Sequence, residues 1–304
     1  MSIGISIYPE DADNAEDLLR NSDIAMYKAK TEGRNRYHFY THEMTEKAFE
    51  RLQMISSLRQ AVEKNEFVVF YQPQINAQSE QLIGMEALIR WQHNTMGLLS
   101  PGKFIPLAEE TGIIIQMDQW LMRAAMEQMV VWYQQGLNPG RLALNLAMKQ
   151  LQKSNFIEML TNMLLETGCK PQWLELEVTE SQIMTDPEKA IIILRKISEL
   201  GIELAVDDFG TGYSSLAYLK KLPIDKLKID QSFVRNLPKD EEDAAIARSV
   251  IALSQNLKLK VIAEGVETNA QKDFLVQNGC RNIQGYYYSK PLPVDKMSDY
   301  LQKN

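Results

Sequence analysis

The sequence predicts an α/β protein: a (β/α)8, TIM-like barrel preceded by a small α+β fragment. Three observations carry this prediction. Eight short apolar runs recur from about residue 66 onward, longer segments of helical period separate most of them, and the roughly 240 residues involved suit a barrel of about 250. The runs fall at 67–72, 84–91, 142–146, 174–178, 203–206, 226–229, 261–263 and 282–286, with helical crossovers such as 117–133 and 244–256 between them, and together they suggest a parallel sheet. A doubly wound open sheet is the alternative. It would want a glycine-rich phosphate loop after its first strand, and YQPQIN is not one.

Ahead of the barrel, a strand is expected over 3–8, a turn over 9–12, and then a helix. Asn14 can cap that helix, acids follow in its first turn, and Leu18, Leu19, Ala25, Met26 and Ala29 form its apolar stripe. The helix stops near Gly33, and a second strand follows over 36–40. Some 40 residues cannot bury a core alone, so this piece reads as the tail of something larger or as an addition to the main body. Met44, Ala48, Leu52, Ile55, Leu58 and Val62 recur at helical spacing. The expected organisation is therefore a fragment over 1–42, a linking helix over 43–62 and the barrel over 63–304.

The composition, 45% hydrophobic and 24% charged over 304 residues, is that of a globular protein. Lys and Arg total 33 against 40 Asp and Glu, a net charge of −7. That balance argues against gripping a nucleic-acid polymer, though a local site for a small anion can oppose it. Two cysteines, Cys169 and Cys280, are too few for a disulfide framework. Apolar stretches such as 113–115 are far shorter than a membrane helix, and MSIGISIYPED lacks the features of a secretion signal. A cytoplasmic protein is expected, or the cytoplasmic portion of one with an upstream sensor or membrane region.

The informative pattern is where acids and amides fall. Glu86 interrupts the second run and Asn145 the third. Glu177 and Glu180 close the fourth, and Asp207 and Asp208 the fifth. Lys228 and Asp230 end the sixth, Glu264 and Glu267 follow the seventh, and Gln284 lies in the eighth. One acid at a strand end caps a helix or pairs on the surface. A set of them converging on one barrel rim would repel severely unless a cation sat between them. None of His38, His42 and His93 falls in the set, so an oxygen-only cluster suits Mg²⁺ or Mn²⁺ rather than zinc. Asp207 and Asp208 could serve two ions, a recurring device for in-line displacement at phosphorus. Lys228 could orient a water or simply balance charge. The glycines of DFGTGYSSL suggest a sharply turning, mobile rim loop, with Glu180 placed to accept hydrogen bonds from it. The tyrosines 286–288 read as a strand end packing on the barrel, and the methionines of 117–129 as core.

These residues resemble a known family. Glu86–Ala87–Leu88 between YQPQ and IRW, then NLA, EVTES, DDFGTGYSSL, LPIDKLKID, AEGVET and QGYYYSKP in order, are similar to the EAL family of cyclic di-GMP phosphodiesterases over about residues 50–304. The start, SIGIS…YPED…LLRNSDIAMYKAK…GRNRYHFY, resembles the closing segment of a GGDEF diguanylate cyclase domain, without that family's signature or nucleotide-binding half. The fragment is thus expected to make no cyclic di-GMP from GTP.

The resemblance implies opening of one phosphodiester of cyclic di-GMP to linear pGpG with Mg²⁺ or Mn²⁺, and Ca²⁺ is expected to inhibit because its larger, looser coordination sphere misplaces the water. It implies Glu86, Asn145, Glu177 and Asp207 as main metal ligands, with Asp208, Glu264 and Gln284 completing the second site. Lys228 matches the lysine at the attacking water, grouped in catalysis with Glu86, Glu264 and Glu267. Gln72, Leu88, Arg90, Asp230 and Glu267 match substrate contacts, and Glu180 the glutamate that couples the DFGTG loop to a homodimer interface. Departures are slight: EVTES for the commoner ELTES, and Ala147 where the NLS triplet has serine. A catalytically silent cyclic di-GMP receptor is the alternative. Such a protein would usually have lost an acid, and here all are retained.

Overall fold

The computed structural model describes residues 1–211 and 216–303. The chain forms two compact units, 1–64 and 65–304.

In the first unit, strands β1 (Ser2–Ile5) and β2 (Arg36–Phe39) pair in parallel, joined by the helix Ala15–Thr31. The helix starts as its sequence expects: Asn14 accepts from the Asp17 N–H, and Ala25 and Ala29 are buried. Gly4 lets the helix approach, since a Cβ there would lie 1.9 Å from the Ser22 carbonyl oxygen. The first strand is shorter than the expected 3–8, because the chain turns away from Ile5 toward the Pro9 turn. The helix His42–Glu63 completes this unit.

The second unit is the barrel. Its strands are β3 (Phe67–Asn76), β4 (Gln81–His93), β6 (Arg141–Asn145), β7 (Leu174–Thr179), β8 (Glu203–Phe209), β9 (Lys226–Ile229), β10 (Lys260–Ala263) and β11 (Asn282–Gln284). Short strands β5 (Gly97–Leu99) and β12 (Leu292–Pro293) add to β4 and β3. Among the described residues eight strands close on themselves in the order β3-β4-β6-β7-β8-β9-β10-β11. The eight expected runs are these eight strands, with one correction. β3 lies antiparallel to both neighbours, β4 and β11. Only 77–80 separate β3 from β4, which allows a hairpin but not the dozen residues a parallel crossover needs.

Successive strand residues face opposite ways. Leu174, Leu176, Val178, Leu227 and Ile229 are buried, and the Glu175, Glu177, Lys226 and Lys228 that alternate with them are buried as well. The barrel interior is charged rather than filled with branched aliphatics. Outside it, the helices Ile114–Gln134 and Glu241–Leu257 cover the expected crossover segments. Met117, Met122, Met126 and Met129 are buried, as core packing requires.

Candidate active site

Four strands bring four charges to one point because their inward positions alternate. β7 supplies Glu177, β8 Asp207, β9 Lys228, and the residue after β10 is Glu264. The Lys228 ammonium lies 2.5 Å from Glu177 Oε2, 2.5 Å from Glu264 Oε1 and 3.3 Å from Asp207 Oδ2. Its side chain is 1% exposed. The register pairs Glu177 with Ala205 and Glu86 with Ala143, small neighbours that leave room for long carboxylates.

Glu86 anchors the second half of the site. Its Oε1 accepts from Asn145 Nδ2 at 2.6 Å and its Oε2 from Gln284 Nε2 at 2.5 Å. Gln284 also donates to Gln72 Oε1 at 3.2 Å and accepts from Gln74 Nε2 at 3.0 Å, while Gln72 Nε2 donates to the Ser289 carbonyl. Glu86 lies mid-strand rather than at a strand end, because β4 runs on past the rim to His93.

Asp207 and Asp208 sit at an irregularity where β8 slips register against β9 between Val206 and Phe209. Asp208 has φ of 53°, a left-handed conformation uncommon for a residue with a Cβ. Its N–H donates to Asp207 Oδ1 at 2.9 Å. Asp230 caps the helix Gln231–Val234 by accepting from the Ser232 N–H, and its carboxyl faces that of Asp208. At the rim, Glu180 Oε2 accepts from the Gly210 N–H at 3.1 Å, and Gly210 turns the chain with φ of +97°. The rest of the expected mobile loop, 212–215, lies outside the described residues.

A cavity of 300 Å³ opens beside these groups, lined by Gln72, Glu86, Leu88, Glu264, Glu267 and Gln284 together with Gln231 and Tyr286. Arg90 lies over the Phe70 ring and donates to the Ile89 carbonyl. Tyr286 is 54% exposed: β11 ends at Gln284, and the tyrosines follow in a turn instead of extending the strand. Gln74, the second glutamine of YQPQ, joins the site although the sequence reading gives a role to Gln72 alone. Its signal is its spacing: two residues from Gln72 on one strand, it shares the inward face.

The electrostatics follow from burial. Burial opposes the charge on Lys228, but Asp207, Glu177 and Glu264 more than reverse this and hold it firmly cationic. Burial drives Glu177 well above the ordinary carboxylate range; Lys228 pulls it down and Glu86 and Asp207 push it up. Glu264 is raised to about 8 by burial and by Asp207 and Glu86, against the pull of Lys228. Asp208 rises to about 6 through burial and the neighbouring Asp207 and Asp230. Among the described residues no three of His, Cys, Asp and Glu surround a common ion position. The point between Glu177, Asp207 and Glu264 is held by Lys228.

Similarity to known proteins agrees with this geometry. Residues 55–291 match the EAL domain model. The chain belongs to the EAL domain family. Residues 1–36 match the diguanylate cyclase GGDEF domain. The chain is 44% identical over 296 residues to the bifunctional diguanylate cyclase/cyclic di-GMP phosphodiesterase MucR of Pseudomonas aeruginosa, covering 97% of this chain and 43% of that protein. It is 40% identical to the cyclic di-GMP phosphodiesterase NbdA of the same organism, covering 99% of this chain and 38% of the relative. The chain thus spans less than half the length of these relatives. A solved structure of the MucR phosphodiesterase in complex with cyclic di-GMP superposes with a TM-score of 0.78 at 43% identity, over 81% of this EAL chain and 99% of that one.

Proposed function

We propose that this EAL chain hydrolyses cyclic di-GMP to linear pGpG with Mg²⁺ or Mn²⁺. The observation that carries the reading is the buried cluster itself. Glu86, Glu177, Asp207 and Glu264 oppose a single lysine, so the acids outnumber the cation by three. Buried like charges at this density repel unless cations are added. The donor set fits hard cations, being all oxygen, and Glu177 Oε1 is buried without a hydrogen-bond partner among the described residues.

Glu86, Asn145, Glu177 and Asp207 would hold the first ion, with Asp208, Glu264 and Gln284 completing the second. Such ions, when bound, lower the pKa of water and neutralise charge developing on phosphoryl oxygens. The protein's own groups do the rest. Lys228, held cationic, orients the attacking water toward phosphorus. Arg90 faces the phosphate, Leu88 and Glu267 line the substrate cavity, and the Gln74–Gln284–Gln72 amide chain presents a fixed edge to guanine. Water oxygen bonds to phosphorus, the P–O3′ bond breaks, and the leaving 3′ oxygen takes the proton. No covalent protein nucleophile is needed. Ca²⁺ fills such a site with a larger, looser coordination sphere and inhibits.

No described helix is long and apolar enough to cross a membrane. We place the reaction in the cytoplasm and assign a homodimer interface near the Glu180-anchored loop. Incubation with cyclic di-GMP and Mg²⁺ or Mn²⁺, followed by chromatography, should give pGpG. Absence of product with either ion, or full activity in excess chelator, would overturn the reading.

A further inference from the structure

Asp118 stands where an apolar residue is expected. On the helix Ile114–Gln134 it shares a face with buried Ile114, Met117, Leu121, Met122 and Ala125, and it is only 8% exposed. Burial raises its carboxyl to about 7, with Glu109 as a further acid nearby, and no cation among the described residues offsets the cost. A buried carboxyl without a cation destabilises a fold relative to an aliphatic side chain, so its presence here implies a compensating role. Its hydrogen bond indicates that role, because Asp118 Oδ2 accepts from the Ala147 backbone N–H at 3.2 Å.

Ala147 is two residues past Asn145, where β6 leaves the barrel. The Leu146 N–H still reaches the Glu177 carbonyl at 2.9 Å, and the Ala147 carbonyl accepts from Gln150 and Leu151. The Ala147 N–H falls between sheet and helix, and a side chain 29 residues away satisfies it. Asp118 and Ala147 line a further cavity of 270 Å³ together with Leu88, Asn145 and Glu177.

We propose that Asp118 is a positioning residue that pins the turn following Asn145 and so holds the Asn145 amide on Glu86. The inference rests on the function proposed above, in which Asn145 and Glu86 hold an ion. Groups that orient metal ligands are worth about 10–100-fold in metal affinity or activity.

The test compares Asp118→Asn, which keeps an acceptor oxygen, with Asp118→Leu, which fills the space without one. Mn²⁺ binding to the chelator-stripped full chain is measured by calorimetry, alongside thermal melting and cyclic di-GMP hydrolysis. Asp118→Leu should lower Mn²⁺ affinity and kcat by about tenfold or more with little change in KM and an unchanged or raised Tm. Asp118→Asn should restore both values to near those of the parent. If Asp118→Leu does not fold, Asp118→Ala carries the same comparison. Unchanged Mn²⁺ affinity and kcat in the acceptor-free variant, or equal losses in the Asn and Leu variants, would overturn the inference. So would a parent chain that binds no Mn²⁺. A parent that binds Mn²⁺ but does not cleave cyclic di-GMP would instead defeat the proposed function, and the Mn²⁺ affinities would still decide the role of Asp118.

Discussion

The two units break the usual burial rule in opposite directions. Residues 1–64 leave apolar side chains outside: Ile3 is 42% exposed, Tyr37 60% and Phe39 50%, all on the face of the parallel pair that Gly4 does not share. Parallel strands are ordinarily covered on both faces, and here a helix packs at Gly4 on one. Residues 65–303 instead carry charges inside. Lys226 and Glu175, 2.5 Å apart, lie two residues below Lys228 and Glu177 on the same strands. An exposed aromatic forfeits burial energy but raises no new cost, whereas a buried charge is tolerated only with its partner in place. The exposed face of the first unit should therefore be forgiving of substitution and the barrel interior unforgiving.

Lys228→Ala is the most severe test of that contrast. It should lower kcat and kcat/KM together by about 10²–10³-fold. It also strands three carboxylates, which in the chelator-treated protein should cost about 3–5 kcal/mol by denaturant unfolding. Glu86→Ala should differ by losing Mn²⁺ affinity along with rate. An unchanged kcat in Lys228→Ala would reduce the lysine to charge balance.

pH separates the units next. In the barrel, Glu264, Asp118 and Asp208 are raised to about 8, 7 and 6. Each stays protonated in the folded chain over a range where the unfolded chain ionises, so their stability contribution is complete at low pH and lost as pH rises through those values. In the first unit Glu32 is held below its usual range by a hydrogen bond from His38, so its contribution is present at higher pH and lost on acidification. Chelator-treated protein should accordingly show a barrel melting temperature that falls from about pH 5 to pH 9, and Mn²⁺ should flatten that slope. A rising slope would contradict the buried-acid account.

Glu180→Ala removes the acceptor for the Gly210 N–H and should weaken hydrolysis while leaving the barrel melt intact. Gly4→Ala acts on the other unit: a Cβ would meet Ser22 O at 1.9 Å and Met26 N at 2.2 Å. Proteolysis should then begin within 1–40, with hydrolysis by the barrel changed by less than about twofold. Tyr37→Ser, on the exposed face, should shift stability by no more than about 0.5 kcal/mol. A larger loss would mean that this face is covered in solution.

Local signals alone determined much of this protein. Apolar runs at strand length located all eight barrel strands, the Asn14 cap marked the start of the first helix, and acids at strand ends marked the candidate site, because each depends on residues near one another in sequence. Three features were decided only by the tertiary structure. The direction of β3 depends on its four-residue connection being a hairpin, and its apolar run reads the same for either direction. The insertion of Lys228 among three acids depends on which inward positions of four strands arrive at one height, and that is set by register. Asp118 interrupts an apolar stripe visibly in the sequence, but its partner is a backbone N–H 29 residues away. No side-chain pattern can announce a backbone donor, since every residue but proline has one; only the folded chain decides which donor is left for the carboxylate.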